Sequence, residues 1–163
     1  MMPLSVADGR PYRKGVGAVI FNPDRLVWVG QRIDTPGAWQ LPQGGIDAGE
    51  SPRKAVLREV AEEIGTDRVV ILDEAPDWLT YDLPADLAAR AWGGRFRGQR
   101  QKWFALRFTG RDSDIDLAKH GAPEFASWRW ADFQSLPDAI IGFKRPMYEA
   151  LVDVFRVYGP SNV

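Results

Sequence analysis

Cysteine is absent from this 163-residue chain, which removes disulfides, thiolate nucleophiles and Cys-ligated zinc or iron–sulfur centres. The only histidine, His120, excludes a His-rich metal site and confines any Ser-His-Asp triad to that residue. No run of about 18 apolar residues occurs, as a membrane-spanning helix requires. The opening MMPLSVADGR has no apolar segment of the secretory kind. No membrane association is expected, and the chain reads as cytoplasmic. Acid is missing from one whole segment: Leu87 to Arg111 carries Arg90, Arg95, Arg97, Arg100, Lys102, Arg107 and Arg111 but no Asp or Glu. Asp47 to Asp77 is the converse, with nine acids against four bases, although the net charge is only −1. Such segregation in a small domain suits a site where cations and a polyanion meet, or else charges that solvate different faces.

What is present is ordinary for a globular domain, with 45% hydrophobic and 26% charged residues. The length predicts a single domain over 1–163, with its core at about 12–158. KGVGAVIF and RLVWVGQRI are β-rich runs around NPD, a turn signature, and predict a hairpin. A Pro/Gly-rich loop, TPGAW to LPQGGIDAGE, leads to the strongest helical stretch. Ser51 suits the N-cap, Pro52 the first helical position and Gly65 a left-handed C-cap, so a helix is expected from Pro52 to Ile64. DRVVILD, DWLTYDLP, KWFALRF and FASWRWAD read as further strands. PMYEALVDVFRVYG reads as a closing amphipathic helix with Tyr148, Leu151, Phe155 and Tyr158 on one stripe. The mixture predicts α/β or α+β layers.

REVAEEIG, residues 58–65, crowds Glu59, Glu62 and Glu63 onto one turn. At about 100° per residue these acids share a face, with Leu57, Val60, Ala61 and Ile64 roughly opposite and expected to pack on the sheet. Residues at i, i+3 and i+4 are close enough for their carboxylates to share a cation. A solvated acidic face is the alternative, costing only about 0.2–0.5 kcal/mol per like-charge pair. Two neighbours favour the cation. PQGGIDAGE offers free backbone carbonyls, and no lysine follows Glu59 or Glu63 at i+4. Hard divalent ions take oxygen ligands, and Mg²⁺ is commonly shared between carboxylates and substrate phosphates.

Residues 44–66, GGIDAGESPRKAVLREVAEEIGT, resemble the Nudix box. Gly44, Glu50, Arg58, Glu59, Val60, Glu62, Glu63 and Gly65 hold its spacing, and Thr66 stands where an aliphatic residue is usual. That last slot reads as a packing position. WQLPQGGID, GQRQKWF, PEFASWRW and FKRPMY are similar to segments of the bacterial branch that hydrolyses RNA 5′ pyrophosphates and dinucleoside polyphosphates. The resemblance covers roughly Tyr12 to Tyr158.

By that resemblance the fold is a Nudix α/β/α sandwich, a mixed β-sheet between helices with a loop–helix–loop catalytic motif. Glu59, Glu62 and Glu63 are expected to hold Mg²⁺, or Mn²⁺ or another divalent ion, assisted by the Gly44 carbonyl. Glu124 would add a ligand or base, and Arg58 would orient the glutamates, together with Glu50. Glu59, Glu62 and Glu124 are all candidates for the general base. Arg13, Arg32, Gln43, Gln99, Lys102, Phe143 and Lys144 are the implied substrate contacts, with Tyr81 a stacking candidate and Arg32 and Phe143 flanking a base. Trp92, Phe96 and Trp103 interleave the basic stretch, although Trp103 and Phe104 alternate in a strand, so at least one is expected in the core. The implied reaction is metal-dependent hydrolysis of 5′-triphosphate RNA to 5′-monophosphate RNA and pyrophosphate. Diadenosine tetraphosphate and similar dinucleotides are the alternative substrate, and a non-catalytic RNA- or nucleotide-binding module is the second alternative. DNA is not an expected partner. His120 is read as a loop residue.

Overall fold

The apolar run GVGAVIF forms the buried end of β1 (Tyr12–Phe21), which turns back into β2 (Val27–Arg32) with Phe21 opposite Val27. The NPD turn closes as its residues require: the Asn22 side-chain oxygen accepts the N–H groups of Asp24 and Leu26, each at 3.0 Å. The computed structural model describes residues 9–140 and 142–160. After the hairpin come β3 (Trp39–Gln40), β4 (Gln43–Gly45), α1 (Pro52–Ile64), β5 (Val69–Glu74) and β6 (Leu79–Asp82). A short α2 (Ala85–Ala88), the long β7 (Gly98–Phe108), β8 (Phe125–Ala131), α3 (Leu136–Ala139) and α4 (Arg145–Val154) complete the order.

The strands make one mixed eight-stranded sheet with the path β3-β2-β1-β7-β5; β4 joins β1, β6 joins β7 and β8 joins β2. Among the described residues only the central β1–β7 pair is parallel, in register from Tyr12 opposite Gly98 to Phe21 opposite Arg107. Alternation then divides the core in two. Val19, Phe21, Val29, Trp103 and Ala105 face Tyr148 and Leu151 of α4 and Phe155 just beyond it, while Val16, Ala18, Ile20, Trp28, Phe104 and Leu106 face Val56, Val60 and Ile64 of α1. The sheet lies between helices, as the resemblance implies.

Local chemistry fixes α1 at the expected bounds. Ser51 Oγ accepts the Lys54 N–H at 3.2 Å, and Gly65 takes φ 79° while its N–H bonds to the Ala61 carbonyl at 3.0 Å. Thr66 is buried, and its hydroxyl is satisfied locally by the Arg68 N–H at 3.1 Å. Two expectations are corrected, those for the buried face of α1 and for the end of α4. The buried face of α1 comprises Ala55, Val56, Val60, Glu63 and Ile64, while Leu57 is 39% exposed. The helix has thus rolled so that Glu63 lies inside the packed arc. The core takes at least one of Trp103 and Phe104, as expected: both are wholly buried, because both faces of β7 are covered. Finally, α4 stops at Val154: Phe155 leaves helical geometry (φ −104°, ψ 18°), and Tyr158 sits in a 3₁₀ turn with its hydroxyl 3.0 Å from Asp73.

Candidate active site

Helix α1 presents its acids to the loop that precedes it, and Arg58 ties the two together. Its Nε and Nη2 each donate to a Glu50 oxygen at 2.8 Å, and Nη2 also reaches the Gly45 carbonyl at 2.9 Å. Its Nη1 donates to Glu59 at 2.9 Å and to Glu62 at 3.3 Å. One planar fork therefore fixes a loop carbonyl and three carboxylates. Arg58 is the chief cause holding the Glu50 carboxyl down to about 2. The backbone of β4 crosses directly over Glu59, since a Cβ on Gly44 would collide with that carboxylate. Only glycine permits that approach.

Glu63 is in a different state. It is buried, and neither carboxylate oxygen has a hydrogen-bond partner. Its pKa is pushed well above the ordinary carboxylate value, first by burial and then by the nearby Glu124 and Glu59. Glu59 is raised too, by burial against the opposing pull of Arg58, with Glu62 and Glu124 adding to the rise. Glu59, Glu62, Glu63 and Glu124 all line one cavity of about 320 Å³, bordered also by His120.

A cationic groove opens from this cavity. The next, of about 400 Å³, shares Glu59 and Glu124 and adds Arg13, Arg32, Gln43, Gly44 and Gln99. A third, of about 240 Å³, shares Arg32, Gln43 and Gln99 and adds Tyr81, Phe143 and Lys144. Strand parity supplies these side chains: Arg13 on β1, Gln43 on β4, Tyr81 on β6 and Gln99 on β7 come together where β1, β6 and β7 run side by side. The amides and phenol cross-brace the floor. Gln99 Nε2 donates to the Tyr81 oxygen at 2.6 Å and its Oε1 accepts from Arg13 at 3.2 Å, while Gln101 donates to Gln43 at 3.1 Å. Arg32 is held in a bidentate pair with Asp34 at 2.8 and 2.7 Å.

Lys144 brings a buried cation to the groove. It is buried, 3.4 Å from the Gln40 side-chain oxygen and 5.3 Å from the Tyr81 ring centre, and among the described residues no carboxylate pairs with it. Burial, then the charge of Arg32, lowers its pKa to about 8. Phe143 and Tyr81 lie 5.8 Å apart, centre to centre, at the same end.

Of the substrate contacts expected from sequence, the groove gathers Arg13, Arg32, Gln43, Tyr81, Gln99, Phe143 and Lys144. It does not gather Lys102. That ammonium bonds to the Pro76 carbonyl at 3.2 Å and pairs with Glu74 at 3.4 Å, because an even position on β7 points away from the face that carries Gln99 and Gln101. Gln40 and Gln101 were not foreseen; uncharged amides in apolar runs carry no periodic signal. His120 borders the acidic cavity, where a loop histidine had no assigned place.

Among the described residues no group of three or more His, Asp or Glu side chains is already gathered as a ready cage for an ion. Arg58 currently engages Glu59 and Glu62. The donors nonetheless fit a hard divalent cation: all are oxygens, and the buried Glu63 carboxylate lacks any donor to neutralise it.

Comparison with known proteins agrees with this chemistry. The NUDIX domain family matches residues 11–151. The chain is 59% identical to an RNA pyrophosphohydrolase of Gluconacetobacter diazotrophicus, covering 93% of this chain and 96% of that one. It is 57% identical to an RNA pyrophosphohydrolase of Rhodospirillum rubrum, covering 92% and 90%. The solved dihydroneopterin triphosphate pyrophosphohydrolase of E. coli shares the fold at TM-score 0.67 and 24% identity, covering 88% and 99%. An Ap4A hydrolase of C. elegans does so at TM-score 0.60 and 17% identity, covering 88% and 98%. The family match over residues 11–151, with relatives 57–59% identical across nearly the whole of both chains, shows that the protein belongs to the Nudix family.

Proposed function

We propose that this chain is an RNA 5′ pyrophosphohydrolase, a single-domain cytoplasmic enzyme that converts 5′-triphosphate RNA to 5′-monophosphate RNA and pyrophosphate. It is a hydrolase of pyrophosphate bonds, and what carries the substrate assignment is its likeness, over nearly its whole length, to proteins bearing that name. The geometry supports it: an acidic cavity runs into a cationic groove that ends among aromatic rings.

Glu59, Glu62, Glu63 and Glu124, with the Gly44 carbonyl, would hold a divalent ion, for which Mg²⁺ is proposed. When bound, such an ion screens phosphate oxygens and acidifies a bound water. Arg58 keeps Glu59 and Glu62 in place. Arg13, Arg32, Gln99 and Lys144 bind and orient the phosphate chain, so that a water oxygen attacks phosphorus in line with the departing oxygen. A carboxylate of this set accepts the water proton as the P–O bond breaks and pyrophosphate leaves. The terminal base rests against Phe143 and Tyr81 beside Arg32.

Dinucleoside polyphosphates are the second reading, because the cavity beside Phe143 stacks a base whatever lies beyond the phosphates. Product analysis with 5′-triphosphate RNA and diadenosine tetraphosphate, with and without Mg²⁺, decides between them. Metal-dependent release of pyrophosphate from RNA at the higher kcat/KM is expected. A large preference for the dinucleotide refutes the first reading, and RNA binding without any turnover points to a binding module.

A further inference from the structure

Trp92 has a backbone that an indole rarely adopts. Its φ of 50° and ψ of 37° are left-handed, and Gly93 and Gly94 follow at φ 69° and 73°. A bulky residue in that region is an outlier that its surroundings must enforce. Here the enforcement is visible. Arg10 Nη1 donates to the carbonyls of Ala88 and Gly94 at 3.0 and 3.1 Å, and Arg95 Nε donates to the Trp92 carbonyl at 3.2 Å.

The conformation places the indole at a junction. Trp92 lines both the phosphate-binding part of the groove and the aromatic cavity beyond it, and the Arg13 guanidinium lies 5.1 Å from its ring centre. Phe96 meets the ring edge-on at 6.0 Å. Trp92 is only half-buried, so it is not a core residue captured by packing. An indole can stack on a nucleobase plane, and the aromatic cavity, about 240 Å³, has room for one unpaired base.

We propose that Trp92 is a specificity-determining residue: a stacking platform for one of the first two nucleobases of the RNA, set between that base and Arg13. This rests on and deepens the proposed function, since it adds a base contact to those of Phe143 and Tyr81.

The test uses the full chain and fluorescence anisotropy with 5′-triphosphate oligonucleotides that are intact, abasic at the first position, or abasic at the second. Trp92→Ala is expected to weaken binding of the intact RNA by about tenfold, as loss of one stacked base does. The same substitution should cost little on the one abasic RNA whose missing base is the stacked one. Trp92→Phe should restore most of the affinity. Equal losses on all three RNAs, or no loss on any, overturn the proposal. The first would show that Trp92 acts through Arg13 or the fold. Binding is read without turnover, so failure to hydrolyse RNA refutes the proposed function separately.

Discussion

Replacing Glu63 by Gln separates the cost of the acidic cavity from its use. Glu63 is 7% exposed as a residue, and its two carboxylate oxygens are buried without a hydrogen-bond partner. Burying an unsatisfied polar group costs about 1–3 kcal/mol, and more when it is charged. Taking up a proton caps the penalty. Against the ordinary value of 4.5, at 1.36 kcal/mol per pH unit, the cap at pH 7.5 is about 4 kcal/mol. Gln keeps the shape and removes the charge but leaves a buried amide, so a net gain of about 1–3 kcal/mol is expected in metal-free protein. At about 2–4 °C per kcal/mol for a chain of this size, the melting temperature should rise by roughly 2–12 °C. Because the native pKa is raised, the folded state holds the proton more tightly than the unfolded chain. Wild-type stability therefore falls as pH rises above about 4.5, and the advantage of Glu63→Gln grows with pH and vanishes below that value. Calorimetry in chelator from pH 4 to 8 reads this directly. The same substitution should abolish Mg²⁺-dependent hydrolysis and the stabilisation that Mg²⁺ gives the wild type. A metal-free variant less stable than wild type at pH 7.5 refutes the reasoning.

Three further outcomes follow from the groove. Arg58→Met should lower kcat by on the order of 100-fold, since it releases Glu50, Glu59, Glu62 and the Gly45 carbonyl together; steady-state kinetics checks it. With Lys144 lowered to about 8, KM for RNA should climb as pH passes that value and the charge is lost, whereas stability should rise between about 8 and 10.5, where the unfolded chain holds the extra proton. Lys144→Met should flatten both profiles, in kinetics and in thermal melts. Lys102→Ala should leave KM within about twofold of wild type, a change under about 0.5 kcal/mol in binding, because its ammonium faces Glu74 and Pro76.

Local signals carried far into the structure, and long-range ones did not. Ser51, Pro52 and Gly65 predicted both ends of α1 because capping is decided by adjacent residues. Helical periodicity put the acids together but rotated the buried face wrongly, since Leu57 and Glu63 compete for one arc and the sheet, not hydrophobicity alone, decides which is covered. The spacing of the box could be read from residues 44–66, whereas the groove required knowing that β1 lies beside β7. Nothing in either strand states that pairing. Lys102 shows the same limit: the resemblance puts it with Gln99 among the substrate contacts, but only the register shows that the two point to opposite faces. Gln40 and Gln101 entered only through contacts with Lys144 and Gln43.

The central parallel pair also dictates when the protein can work. Arg13 and Gln99, which meet in the groove, are 86 positions apart in the chain. Contacts of such separation form late and slowly, after a large entropic cost of closure. During synthesis the first strand leaves the ribosome long before its partner exists, so an unfinished polypeptide has the acids of α1 but no grip for phosphates. Hydrolysis of pyrophosphate bonds is thereby withheld at least until translation has passed β7.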